Sequence, residues 1–379
     1  MIVGMDARPA LFGRTGFGRV VRETLRALHG RPDIDVRPYG AAWRRPRGDS
    51  ELPGVAAPRI PARLQQLMGL VGFGVETLLG PLDVYHHTDL VFAPVARTPE
   101  VLTIYDLVFL ADSRWHGPGF AERVLPRLRA RAAAAQRLVV PCTRVADDLV
   151  RHGLAEAARI VVAPLGADHV DAAPLPDDAE RVVRLLEACG VGALGEGPLV
   201  LLPGTREPRK NQRALLEVFL DVARGTEAVL LFAGPPGWGC EDLEARLREL
   251  ERPAERGTRA RVGVAGEIPE ADLAALYRSA DLVAYPSLAE GFGLPVAEAM
   301  ACGKAVLTSR GTPMADFGAE AVVAVDPGDR QALAAGLRRL LHDPDERRSR
   351  GAAGAAAIAP YTWAAHTDVL VDVYRSVVS

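Results

Sequence analysis

Cysteine is scarce in this chain of 379 residues, and the four present, Cys142, Cys189, Cys240 and Cys302, are scattered with no C-x-x-C pair. That spacing argues against a disulfide framework and a zinc site, and fits buried thiols in a reducing cytoplasm. No apolar run approaches the ~18 residues that a membrane span needs. The opening MIVGMDARP reads as a strand with an early aspartate, not as a secretory leader. The net charge is only −3, which offers no electrostatic case for nucleic acid. Also missing is an Asp-x-Asp pair at a strand end, a common way to hold a metal. Asp147–Asp148 and Asp177–Asp178 are adjacent doublets in helical or linker contexts, where solvated carboxylates are expected.

What is present is the composition of a soluble globular protein, 49% hydrophobic and 25% charged, in a chain long enough for two domains. Short runs rich in Val, Leu and Ile alternate with segments of helical period. In the second half the candidate strands are Leu199 to Gly204, Ala228 to Gly234, Ala260 to Gly266, Asp281 to Ser287, Ala305 to Ser309 and Ala321 to Asp326. None alternates with polar residues, so each is expected to be buried on both faces of a parallel sheet. Between them, Leu215, Leu216, Phe219 and Leu220 share one helical face, as do Leu333, Leu337, Leu340 and Leu341. The first half offers Ile2 to Ala7, Val101 to Asp106, Arg137 to Cys142 and Ile160 to Pro164, with a strand-like LDVY before His86 and His87. Strand–helix alternation with right-handed crossovers predicts doubly wound sheets. The segment from Asp171 to Pro198 mixes prolines and acids and is the expected linker. This sets domains at 1–185 and 186–360. The tail at 361–379 has an amphipathic face of Trp363, Val369, Leu370, Val373 and Tyr374. The stretch from Ala57 to Gly80 mixes arginines with apolar residues. It reads as a core helix with a basic start, with weak membrane-surface contact as the alternative.

The most informative string is EGFGLPVAEAMACG, Glu290 to Gly303. Pro295 suits the start of a helix and Gly303 its end. Glu290 therefore falls on the loop leaving a strand, and Glu298 about one turn inside the helix. Backbone N–H groups of Phe292, Gly293 and Leu294 would face a ligand there. A helix N-terminus suits phosphate and carboxylates suit sugar hydroxyls. The string resembles the E-x7-E motif of retaining glycosyltransferases of family 4. The resemblance implies that Glu290 faces the donor sugar and Glu298 holds the nucleotide ribose. It also implies a GT-B fold: two doubly wound Rossmann-like domains, an interdomain cleft and a C-terminal crossover helix over 361–379.

A second string, GTREPRKN at Gly204 to Asn211, resembles the family's phosphate-binding element. Lys210 matches the family lysine. The arginine role goes to Arg209, with Arg206 in reserve, because Thr205 stands where an arginine commonly follows the glycine. Arg209 offers a planar fork and Lys210 a compact charge, and with the helix end they would replace a metal. No metal and no cofactor are therefore expected beyond a nucleotide-diphosphate sugar as donor substrate. The family resemblance also places Gly234, and Glu267 with Ile268, in two loops that frame the nucleotide.

A third string, GRTGFGR at Gly13 to Arg19, opens a helix. Gly16 and Gly18 permit close phosphate approach, and the family has a Gly-rich loop here against donor and acceptor. Asp33 and Asp35 follow at a possible ribose-acid distance, which keeps a nicotinamide-dependent oxidoreductase open as an alternative. In VLTIYDLVFL, Asp106 matches the family's aspartate, while Tyr105 stands where many members have a histidine. Tyr105 is either a hydrogen-bond donor to the sugar or a buried structural tyrosine. His86 and His87 are either catalytic or structural. Ala315 replaces a family glutamate, with Asp316 beside it. These departures leave a non-catalytic sugar-nucleotide-binding homologue as a further alternative. The reading is a hexosyltransferase with a sugar, lipid-linked or small-molecule acceptor.

Overall fold

The computed structural model describes residues 1–12, 16–41, 54–70, 72–112, 115–117, 119–170, 172–192, 194–250 and 261–378. The chain forms two compact units. The first comprises Met1–Ser113, Pro118–Gly166 and Tyr361–Ser379; the second comprises Arg114–Gly117 and Ala167–Pro360.

The first unit holds β1 (Ile2–Asp6), β2 (Asp35–Tyr39), β3 (Val84–His87), β4 (Glu100–Thr103), β5 (Arg137–Val140) and β6 (Ile160–Val162). They form one sheet in the order β2-β1-β3-β4-β5-β6, every neighbouring pair parallel. One strand escapes the sequence pattern: β2 is DVRPY, with two charges and a proline. It is an edge strand, where a proline is tolerated because only one side pairs.

Helix Gly16–His29 and the tail helix Trp363–Val378 cover one face of this sheet. Val21, Leu25 and Leu28 of the first join Leu370, Val371, Val373 and Tyr374 of the second around Val3, Met5, Val84 and Val101. The tail is thus an integral part of the first unit's core. Its anchor is polar as well: Tyr374 Oη lies 2.7 Å from His86 Nδ1, and His86 Nε2 lies 2.7 Å from Thr103 Oγ1. Burial, with His87 and His366 nearby, pushes His86 down to about 3, so it stays neutral. His87 is equally buried, 2.6 Å from Glu100. Both histidines are structural in this fold.

Two expectations change here. The 57–80 stretch is not a core helix. Helix Ala62–Leu70 leaves Leu64 and Leu67 exposed, and Phe73 and Leu78 beyond it are also exposed. Asp33 and Asp35 do not form a cofactor acid. Asp35 opens β2 at the end away from the ligand edge of a parallel sheet and pairs with Arg37 at 2.9 Å, while Asp33 pairs with Arg375 of the tail at 2.9 Å.

The second unit holds β7 (Leu199–Pro203), β8 (Val229–Ala233), β9 (Arg261–Val264), β10 (Leu282–Tyr285), β11 (Ala305–Ser309) and β12 (Val322–Val325). Their order, β12-β11-β10-β7-β8-β9, is all parallel and reverses direction between β7 and β10. Four of these strands are wholly buried, as their lack of polar alternation predicts. The 185/186 division expected from sequence falls inside helix Asp178–Ala188. That helix is tied to helix Glu270–Ser279 by Arg278 on Asp178 at 2.7 and 2.6 Å and by Arg181 on Asp272 at 2.8 Å. These charge-assisted bonds place it with the second unit.

Candidate functional site

In an open parallel sheet, ligands sit beyond the C-terminal strand ends where the strand order reverses. In the second unit that point lies between the loops leaving β7 and β10, and both informative strings occupy it. The loop after β7 is pressed against the loop after β8. A Cβ on Gly234 would lie 2.1 Å from the Gly204 carbonyl oxygen, so only glycine fits there. Arg206 is buried in this contact, bonded to the Gly234 carbonyl and, at 2.6 Å, to Glu244. It braces the loop, and the arginine turned toward Glu290 is Arg209.

Glu290 is the centre of the cluster. Its Oε1 lies 2.7 Å from Lys210 Nζ, 2.9 Å from Arg209 Nη1, 2.9 Å from Ser287 Oγ and 3.1 Å from Tyr285 Oη. Lys210 also donates to Tyr285 Oη, and Arg209 is steered by Glu207 at 2.6 Å and by the Ala289 carbonyl at 2.6 Å. Burial alone would raise the Glu290 carboxyl, but Arg209, Lys210 and the Ser287 hydrogen bond outweigh it and hold the group at about 2. Lys210 is pushed down by burial and by Arg209, with Glu290 opposing. The cluster is therefore an ionised carboxylate shared by two buried or half-buried cations. Tyr285 and Ser287 belong to this set and were overlooked in sequence, though they precede Glu290 by only five and three residues.

Helix Leu294–Ala301 begins beside this cluster, with Gly293 as its cap at φ 93°. A side chain there would strike Met314, with Cβ only 2.1 Å from Cγ. Pro295 lies in the first turn, and Gly303 follows the helix at φ 66°. Phe292 is buried with its ring edge-on to Phe317, centroids 5.4 Å apart. Glu298 is buried, its Oε2 2.5 Å from Tyr277 Oη and its Oε1 3.0 Å from His169 Nε2. Glu267 and Ile268 lie on the loop leaving β9, the first exposed and the second half-buried. Ala315 and Asp316 fall in the 3-10 turn Pro313–Phe317.

The first unit reverses its strand order between β1 and β3. There Asp6 Oδ1 accepts from the Arg8 backbone N–H at 3.0 Å, and the Arg8 guanidinium pairs with Asp89. Asp6 Oδ2 is buried without a hydrogen-bond partner. Burial first and the Asp89 charge second push the Asp6 carboxyl up to about 8. Tyr105 is half-buried, edge-on to Phe17 at 4.7 Å between centroids. Its hydroxyl is raised well above the ordinary range by burial and then by Asp6 and Asp89. Asp106 Oδ1 accepts from Val108 N–H at 3.1 Å and starts the short helix Val108–Ala111. Gly16 and Gly18 open helix Gly16–His29, while Gly13, Arg14 and Thr15 lie outside the described residues. Asp6, Arg8 and Asp89 had no place in the sequence-based site. Their only signal was the early aspartate in MIVGMDARP.

Comparison with known proteins places part of the chain beside a known family. Residues 191–356 match the family model for glycosyl transferases group 1. Over 216 residues the chain is 32% identical to O-antigen chain mannosyltransferase B of Escherichia coli, covering 52% of this chain and 55% of that one. Over 247 residues it is 36% identical to D-inositol 3-phosphate glycosyltransferase of Xylanimonas cellulosilytica, covering 64% and 57%. The chain thus spans little more than half the length of these curated relatives. Among solved structures it is similar to sucrose-phosphate synthase from Thermosynechococcus elongatus, with a TM-score of 0.76, 19% identity and 99% and 98% of the two chains covered. It is equally similar to Anabaena HepE in complex with UDP and glucose, with a TM-score of 0.76, 18% identity and 99% of both chains covered. Residues 191–356 are thus similar to the glycosyl transferases group 1 family, and the chain as a whole has the fold of these solved structures, the two-unit GT-B architecture.

Proposed function

We propose that the protein is a retaining, metal-independent glycosyltransferase that moves a hexose or deoxyhexose from a nucleotide-diphosphate sugar to a hydroxyl of a carbohydrate, lipid-linked or natural-product acceptor. The observation that carries this reading is the Glu290–Lys210–Arg209 cluster at the β7/β10 switch point. Charge develops on the diphosphate as the glycosidic bond breaks, and fixed cations stabilise it without reorganisation. Arg209 and Lys210 supply that charge in this proposal, with the N-terminus of helix Leu294–Ala301 beside them. Relatives described as a mannosyltransferase and an inositol-phosphate glycosyltransferase support sugar transfer, and a neighbour holding UDP-glucose supports the donor class.

Glu290 is one carboxylate, already neutralised by two cations. A double displacement needs a carboxylate nucleophile against the anomeric carbon. Glu290 is instead assigned to orienting the sugar, with attack on the same face as the departing diphosphate. Contact with a membrane surface through Leu64, Leu67, Phe73 and Leu78 fits a lipid-linked acceptor. Among the described residues no helix is long and apolar enough to cross a membrane.

The test is a thermal-shift screen of UDP, GDP, dTDP and ADP, followed by donor hydrolysis and transfer assays with chelator present. A nucleotide that binds the fold raises its melting temperature by mass action. Turnover abolished by chelator and restored by magnesium or manganese would overturn metal independence. Nucleotide binding without hydrolysis or transfer would identify a binding protein.

A further inference from the structure

Glu298 has an unusual environment for a helix carboxylate. It is only 1% exposed, and residues from two other segments converge on it. Tyr277, 1% exposed, reaches Oε2 at 2.5 Å from helix Glu270–Ser279. His169, from the segment that follows β6, reaches Oε1 with Nε2 at 3.0 Å. The tyrosine's helix is itself braced. Arg278, the next residue, is clamped by Asp178 at 2.7 and 2.6 Å, and its carbonyl accepts from Lys304 Nζ at 2.6 Å. A buried carboxylate is costly unless well bonded, and bonds to both oxygens fix the plane in which it accepts.

We infer that Tyr277 and His169 are positioning residues that set the orientation of the Glu298 carboxylate and so make the site select ribonucleotide over deoxyribonucleotide donors. The inference rests on the reading of Glu298 as the ribose-binding residue. A carboxylate presents about four acceptor sites, and a vicinal diol spans two of them only if the carboxylate plane is held. Tyr277 holds one oxygen and His169 the other, so free rotation about the last side-chain bond is blocked. A site built to accept from a hydroxyl discriminates strongly against the analogue that lacks it. Loss of either brace would let the carboxylate turn, weakening the diol contact while leaving the diphosphate contacts at Arg209 and Lys210 in place.

The experiment is calorimetric titration of UDP against 2′-deoxy-UDP, and of GDP against 2′-deoxy-GDP, on the full chain. For the base that binds, the wild type should prefer the ribonucleotide by about tenfold or more. Tyr277→Phe removes one hydroxyl and keeps the ring. It should reduce that preference to about threefold or less while the deoxynucleotide affinity stays within about twofold. His169→Ala should act in the same direction and serves as the independent variant if Tyr277→Phe does not fold. Glu298→Gln separates the two layers of the argument. If Glu298→Gln leaves the preference intact, the ribose reading itself is wrong. If Glu298→Gln abolishes the preference but neither brace variant changes it, the positioning role is wrong. Equal losses for both nucleotides in the brace variants would show a purely structural role and overturn the inference, as would a wild type that binds the two forms equally.

Discussion

Replacing Asp6 with asparagine should stabilise the protein, by an amount that depends on pH. The carboxyl ionises near its reference value of 3.8 when unfolded and at about 8 in the fold. Burial is the larger cause and the neighbouring Asp89 charge the second, with the Arg8 N–H and guanidinium opposing. Tyr39, Tyr85 and Tyr105 also feel the Asp6 charge, and all three stay neutral in this range. The fold therefore disfavours the ionised form. Its stability is full below the unfolded value and falls as pH rises toward the folded one, by about 1.4 kcal/mol per pH unit. Across the window the loss comes to roughly 6 kcal/mol. Asparagine keeps the oxygen that accepts from Arg8 and cannot ionise. Any fixed cost of its amide is the same at every pH and cancels from the pH dependence. Urea unfolding of both proteins at pH 4.5, 6, 7.5 and 9 measures the difference. The advantage of Asp6→Asn should grow through that series up to about pH 8 and then level off. Parallel stability curves for the two proteins would refute the reasoning and show that Asp6 is ionised in the fold.

Glu290→Gln should lower turnover by tenfold or more while nucleoside diphosphate binds more tightly, since Lys210 and Arg209 lose the carboxylate that neutralises them; unchanged turnover, or weaker binding by calorimetry, would contradict the assignment. Removing the tail after Pro360 withdraws Leu370, Val371, Val373 and Tyr374 from the first unit's core. At ~1.5–3 kcal/mol for each large apolar side chain, the product should aggregate and lack activity, and a truncated protein that melts normally would show the tail to be dispensable. Tyr374→Phe leaves His86 Nδ1 buried without its 2.7 Å partner. A loss of about 1–3 kcal/mol in denaturant stability is expected, and no loss would mean that the histidine finds another partner.

Much of the second unit was legible because its strands are buried on both faces. LVLLP, VLLFA and LVAY are apolar along their length and AVLTS opens on three apolar residues, and none shows the polar alternation of a half-exposed strand. The Glu290 to Gly303 string was legible for a related reason. Gly293, Pro295 and Gly303 each answer a local backbone requirement, so the loop, the helix and both glutamates could be placed from chain order alone. β2 was hidden because an edge strand need not be apolar. The 57–80 stretch misled because apolar content does not reveal which face a helix turns inward.

The site divides along the same line. The residue types were set by sequence: a carboxylate, a lysine and two candidate arginines near two strand ends. Which arginine faces Glu290 was not, because Arg206 and Arg209 are three residues apart and only the packing of the β7 and β8 loops turns Arg206 away. Asp6 and Asp89 meet across a strand crossover, Tyr277 and Glu298 across two helices, and His86 and Tyr374 across 288 residues of chain. Local propensities act over a few residues and determine elements, turns and caps. Pairings between distant side chains depend on strand order and on which faces are buried together, and the tertiary structure alone decides those.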